Sequence, residues 1–168
     1  MSPLQRSDFH SRNSRRKILQ DEFGFFCNCN LCSLADADLF ENDVKRRELL
    51  DIEHQWVNLG QDPQKALDLA EKQLKLGKNL QLQPGLLAYI SLHCVEASSL
   101  VISMEDDDQV LKQGLQYAQI AKSYGEMAYG SGSDEAKVFA SICSQWNSTP
   151  PKDLFTIVQD CIAELRDI

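Results

Sequence analysis

The stretch Leu86-Leu87-Ala88-Tyr89-Ile90-Ser91-Leu92-His93-Cys94-Val95-Glu96-Ala97-Ser98-Ser99-Leu100-Val101-Ile102-Ser103-Met104 decides the fold class. Pro84, two residues before it, suits the first turn of a helix. From there Leu86, Leu87, Ile90, Cys94, Ala97 and Val101 mark one face, while Leu92, Val95 and Ile102 mark others. A soluble helix that is apolar on nearly every side is the one its neighbours pack around.

Working outward, the same 3.6-residue period runs in both directions. Upstream, Leu49, Ile52, Trp56 and Leu59 line one face of a helix expected over about 38–59, ended by Gly60. Asp62-Pro63 reads as a cap and a first-turn proline, opening a helix with Leu67, Ala70 and Leu74 inward and Gly77 at its end. Downstream, the acidic run Glu105–Asp108 suits a helix start, where carboxylates meet the positive end of the dipole; a metal-binding loop would need further spaced oxygen ligands. Val110 or Leu111, Leu115, Ala118, Ala121 and Gly125 form the next inner stripe, with small residues that admit close neighbours. Ser133 caps a helix holding Phe139, Ile142, Cys143 and Trp146. After Thr149-Pro150-Pro151, the narrow seam of Leu154, Val158, Cys161 and Leu165 completes the series. The expectation is an all-α domain of about six antiparallel helices, preceded by a small irregular segment. Helix pairs on short turns loosely match tetratricopeptide repeats, although their Trp-Leu-Gly-Tyr signature is absent.

Ahead of the helical period lies Glu22-Phe23-Gly24-Phe25-Phe26-Cys27-Asn28-Cys29-Asn30-Leu31-Cys32, which gathers half of the chain's six cysteines. In C-x-C the two sulfurs share one side of an extended backbone, and x-x-C folds a third toward them. Thiolates so placed suit tetrahedral Zn²⁺, which in a structural site takes four ligands. Cys27, Cys29 and Cys32 supply three, and His10 is the nearby alternative for a fourth. Upstream, Ser14 is expected to cap a short helix over 15–22 with Ile18 and Leu19 inward and Gly24 as breaker, after an extended lead-in over 2–13.

The totals exclude several classes. At 168 residues, 43% hydrophobic and 25% charged, the chain has the composition of an ordinary globular protein. No uninterrupted apolar run reaches the ~18–20 residues of a membrane span, and clustered thiols with three scattered singles read as a reducing, intracellular compartment, cytoplasm or nucleus. Asn147-Ser148-Thr149 is then a helix-end stretch rather than a glycosylation site. The net charge of −8 is uneven. Residues 1–17 hold Arg6, Arg12, Arg15, Arg16 and Lys17 against Asp8, leaving the remainder at −12. An acidic body argues against a nucleic-acid surface, and the basic start reads as a solvated face. Cys94, Cys143 and Cys161 read as core, and His54 and His93 have no nucleophile or acid at a recognisable spacing.

The order basic helix, aromatic-x-aromatic, C-x-C-x-x-C resembles the post-SET segment of SET-domain protein-lysine methyltransferases, particularly the SET and MYND family and its fungal relatives. The resemblance covers roughly residues 3–34, and that family carries a tetratricopeptide-like helical domain directly afterwards. It implies an end-of-SET and post-SET segment at 1–35 and a helical domain at 36–168. It also implies zinc on Cys27, Cys29 and Cys32, with the fourth thiolate from an Asn-His-Ser-Cys-like motif in the SET core, a motif this sequence lacks. Phe25 corresponds to the aromatic that covers the adenine of S-adenosylmethionine, and Phe23 to the one beside the substrate-lysine channel. The implied role is a lid and a substrate-side wall, with a protein substrate or peptide in the helical groove and an upstream SET core as partner. Alone, the chain is expected to hold neither zinc nor S-adenosylmethionine firmly and to be inactive. A free-standing helical interaction scaffold is the alternative.

Overall fold

The computed structural model of the chain describes residues 10–56, 62–105 and 107–168. Among them are seven α-helices and no strand, in agreement with the all-α expectation: α1 (Arg12–Phe23), α2 (Asp36–Trp56), α3 (Pro63–Asn79), α4 (Pro84–Met104), α5 (Asp108–Tyr129), α6 (Asp134–Ser148) and α7 (Leu154–Asp167), with a 3₁₀ turn at Pro151–Asp153. Most of the lead-in, together with Leu59, Gly60 and Asp106, lies outside the described residues. The chain divides into two compact units between Val57 and Asn58.

The first unit is built on α1 and α2. α1 begins three residues before the expected start: Ser11, not Ser14, is its N-cap and accepts from the Ser14 N–H. Asp43 of α2 explains the early start, because its carboxylate takes the exposed Arg12 N–H at 3.0 and 3.2 Å and so satisfies a donor that helix geometry leaves open. Gly24 ends α1 in the left-handed conformation, φ 71°, which glycine adopts without a Cβ clash. Ile18 and Leu19 are only half-buried; the buried residue of α1 is Arg15. In α2 the expected face is inside at Leu49 and Ile52, joined by Leu39 and Arg46, while Trp56 is half-buried. Ion pairs from Arg12 to Asp36 (3.5 Å) and Arg15 to Asp43 (3.9 Å) tie α2 to α1. The compact unit therefore takes in α2, a helix that a boundary at residue 35 assigns to the helical array.

The second unit contains α3 to α7. Its caps follow the sequence: Asp62 accepts from Lys65 N–H, Asp107 from Gln109 and Val110, Ser133 from Ala136. α3, however, runs past Gly77. That glycine is buried inside the helix because a Cβ there would meet Leu87 at 3.0 Å and Leu82 at 3.3 Å. The helix stops instead at a Schellman turn, with Leu82 N–H on Gly77 C=O and Gln81 N–H on Lys78 C=O. Gln81 occupies its left-handed position, φ 49°.

α4 is the centre of this unit, packed against α3, α5 and α7, while α5 meets α6 and α6 meets α7. Helices α4 to α7 thus close into a ring, with α3 on α4. By length and composition α4 could also cross a membrane, contrary to the sequence expectation, but 78% of its most apolar window is buried inside the chain. The expected seam of α7, Leu154, Val158, Cys161 and Leu165, is buried throughout.

Two aromatic rings of α6 pack directly against glycines of α5. A Cβ at Gly114 would fall 2.0 Å from Trp146 Cζ2, and one at Gly125 would fall 2.4 Å from Phe139 Cδ2. Trp146 also donates Nε1–H to the Leu111 carbonyl at 3.0 Å, and Phe139 meets Tyr89 of α4 edge-on at 6.1 Å. In the inner stripe of α5 the buried position is Gly114 rather than the expected Leu115, which is half-buried, because only a glycine leaves room for the Trp146 ring. Gly114→Ala should cost about 1–3 kcal/mol by overpacking, read as a lower denaturation midpoint; Gly132→Ala, at an open turn, should move it far less.

Candidate metal centre

After Gly24 the chain runs without regular structure to Asn28 and then turns over Cys29–Ser33. Ser33 closes that turn, its N–H reaching Cys29 C=O at 3.0 Å and its hydroxyl donating to Asn28 C=O at 3.2 Å. The turn brings the three sulfurs of Cys27, Cys29 and Cys32 within 4.8 Å of one another. Zinc–sulfur bonds of ~2.3 Å at tetrahedral angles require sulfurs ~3.8 Å apart, so a modest inward shift completes the fit. Cys27, Cys29 and Cys32 would hold three positions of a tetrahedral ion and leave a fourth for another ligand.

Around the sulfurs the donors are arranged for thiolates. Cys29, exposed, has its thiol pKa lowered chiefly by the backbone N–H of Cys32, with help from the neighbouring thiols and the Leu31 N–H. Cys32, only 2% exposed, is pushed the other way by burial, opposed by Arg15. The Arg15 guanidinium lies 3.9 Å from Cys32 Sγ and also donates to the His10 carbonyl. Cys27 is half-buried.

Arg16 provides the clamp. Its Nε donates to Cys27 C=O and its Nη2 to Cys32 C=O, both at 3.0 Å, which fastens the two ends of the knuckle to one rigid fork. The same guanidinium stands 4.2 Å over the Phe26 ring. The solvated-face reading of the basic start is therefore corrected for Arg12, Arg15 and Arg16, which bond to Asp36, Cys32 and the knuckle carbonyls. Spacing could not disclose this, since two of the bonds go to backbone oxygens that any residue carries.

The aromatics stand outside the cluster. Phe23 is 51% and Phe25 47% exposed, a costly placement for large apolar rings unless something else covers them. Phe26 is 57% exposed but carries Arg16 on its face. His10 does not join the sulfurs; among the described residues the group of possible metal ligands is the three cysteines.

Elsewhere the readings divide. Cys94 and Cys161 are buried, with their thiols raised by burial, as core residues should be. Cys143, expected in the core, is half-buried. His93 pairs with the buried Gln73 amide at 3.0 Å, and His54 is exposed near the end of α2. Asp107 and Asp108 serve the start of α5, as the dipole argument required. Asn147 bonds back to Cys143 C=O in the last turn of α6.

Comparison of the chain with protein-family models, curated proteins and solved structures finds no match.

Three outcomes test the centre. Because each thiol must lose its proton to bind metal, zinc uptake should weaken steeply as pH falls below the usual thiol range near ~8.5; competition with a coloured chelator across pH reads this directly. Arg16→Gln should lower zinc affinity roughly ten- to a hundredfold, as loss of an outer partner typically does, while leaving the three ligands in place. Cys29→Ser should abolish uptake.

Proposed function

We propose that residues 1–35 are the post-SET segment of a SET-domain protein-lysine methyltransferase and that the helices which follow form its substrate-side wall. The observation that carries this reading is the convergence of three sulfurs within 4.8 Å beside two exposed phenylalanines, Phe23 and Phe25. A three-thiolate zinc site lacks a fourth ligand and is suited to be completed by a thiolate from another segment, so that metal binding would fasten knuckle to core. The rings of Phe25 and Phe23 would then gain cover, Phe25 on the adenine of S-adenosylmethionine and Phe23 beside the lysine entrance. S-adenosylmethionine supplies the methyl group. This chain's part is to exclude water and to orient.

The wall, in the same reading, is a tetratricopeptide-like arrangement of α3 to α7 inside the cell. Each helix packs on its sequence neighbour, as in such arrays, and the α4–α7 contact adds a closure. A free-standing peptide-binding scaffold is the second reading, favoured by an open groove of about 490 Å³ lined by Lys78, Gln116, Gln119, Ile120, Ser123 and Tyr124. Its lining mixes apolar surface with amide, hydroxyl and ammonium groups, as an amphipathic peptide would need.

The test is complementation. By itself the chain should transfer no methyl group, because positioning supplies much of such a reaction's acceleration and the methionine end of the cofactor would be held by the core. Supplied with a SET core in trans, it should gain S-adenosylmethionine binding, measured calorimetrically. Phe25→Ala should weaken that binding more than Phe26→Ala, since Arg16 already occupies the Phe26 ring. Methylation by the chain alone, or equal losses from the two substitutions, would reject the lid assignment.

A further inference from the structure

We propose that Cys29 and Cys32 form a peroxide-reactive pair, an oxidative modification site in which disulfide closure and metal binding exclude each other. The metal half rests on the reading of the centre given above; the disulfide half rests only on the geometry of the turn.

The choice of pair follows from the backbone. Cys29 and Cys32 lie three apart within a five-residue turn closed by Ser33 N–H on Cys29 C=O at 3.0 Å. In a helical turn, side chains three apart are neighbours with ~5–6 Å between Cβ atoms, so a small closure brings them to the ~3.5–4.5 Å of a disulfide. The sulfurs of the trio lie within 4.8 Å of one another, so those of Cys29 and Cys32 already stand close. Cys27 and Cys29 are separated by a single residue, a spacing that on extended backbone puts Cα atoms ~6.6 Å apart, at the far limit for a bridge, and Cys27 is held by its carbonyl to Arg16. Exposure sets the order of events: Cys29 is open to solvent, whereas Cys32 is buried beneath it.

The chemistry balances with hydrogen peroxide as oxidant. The Cys29 thiolate attacks one peroxide oxygen, the O–O bond breaks, and hydroxide leaves, giving a sulfenic acid. Cys32 sulfur then attacks Cys29 sulfur, the S–O bond breaks, and the second hydroxide leaves. Protons from the two thiols convert both hydroxides to water, and the two thiols have given up two electrons. A bridged pair offers no thiolate, so Cys27 remains as the one sulfur ligand and the metal is released. A dithiol reductant reverses the bridge.

The experiment treats the full reduced chain, zinc-loaded and metal-stripped, with hydrogen peroxide. Thiols titrated in denaturant should fall from six to four, peptide mapping should join Cys29 to Cys32, and a coloured zinc chelator should report release in step with the bridge. Cys32→Ser should instead leave a sulfenic acid on Cys29, trapped by a carbon nucleophile of the dimedone class. Cys27→Ser should still form the bridge. A bridge through Cys27, or Cys29 passing to sulfinic acid with Cys32 still a free thiol, would overturn the proposal. Bridge formation in a chain that takes up no zinc would uphold the disulfide and reject the metal reading.

Discussion

One guanidinium holds the knuckle in shape. Residues 25–33 contain no regular secondary structure, so their carbonyls must find donors elsewhere, and three unprotonated sulfurs side by side repel. Arg16 answers the first need by bonding the carbonyls of Cys27 and Cys32 with one planar fork. Arg15 answers the second by setting buried positive charge against Cys32. Hydrogen bonds to a charged donor contribute roughly 1.5–3 kcal/mol each, which offsets part of the cost of ordering a loop of this length. Asp43, which takes up the Arg12 N–H and pairs with Arg15, anchors the helix that carries both arginines.

The helical unit depends on a different constraint. α4 buries side chains on every face, including Ser91, Ser98 and Ser99, and beside it α5 and α6 approach closely because the residues of α5 at their contact are small. Trp146 over Gly114 and Phe139 over Gly125 are the clearest cases. Large rings on bare backbone leave no spare volume, which makes the packing specific and sensitive to a single added methyl. Polar bridges complete the layer: Tyr117 donates to Glu71 across α5 and α3, and Gln159 to Glu96 across α7 and α4.

Where apolar period and capping chemistry act locally, the sequence was readable: the central helix, the caps at Asp62, Asp107 and Ser133, and the seam of α7 all follow from side chains a few residues apart. Gly77 was misread as a stop because a glycine inside a helix and one beyond its end look alike until Leu82 and Leu87 are seen against it. The true start at Ser11 is hidden from local sequence because Asp43, some thirty residues away, is the partner of the first turn. The cysteine trio was legible from spacing alone. Its clamp was not, since Arg16 recognises backbone oxygens and leaves no pattern in the residues it binds.

Cobalt(II) substitution tests the central claim, a preorganised three-thiolate centre with one position open to an outside ligand. On titrating the reduced chain with Co²⁺, this account predicts strong thiolate-to-cobalt charge-transfer absorption, saturating at one ion per chain, together with the visible bands of a four-coordinate site. Added low-molecular-weight thiol should shift those bands as it enters the fourth position. Weak six-coordinate bands without charge transfer, or a spectrum unchanged by the added thiol, would contradict it.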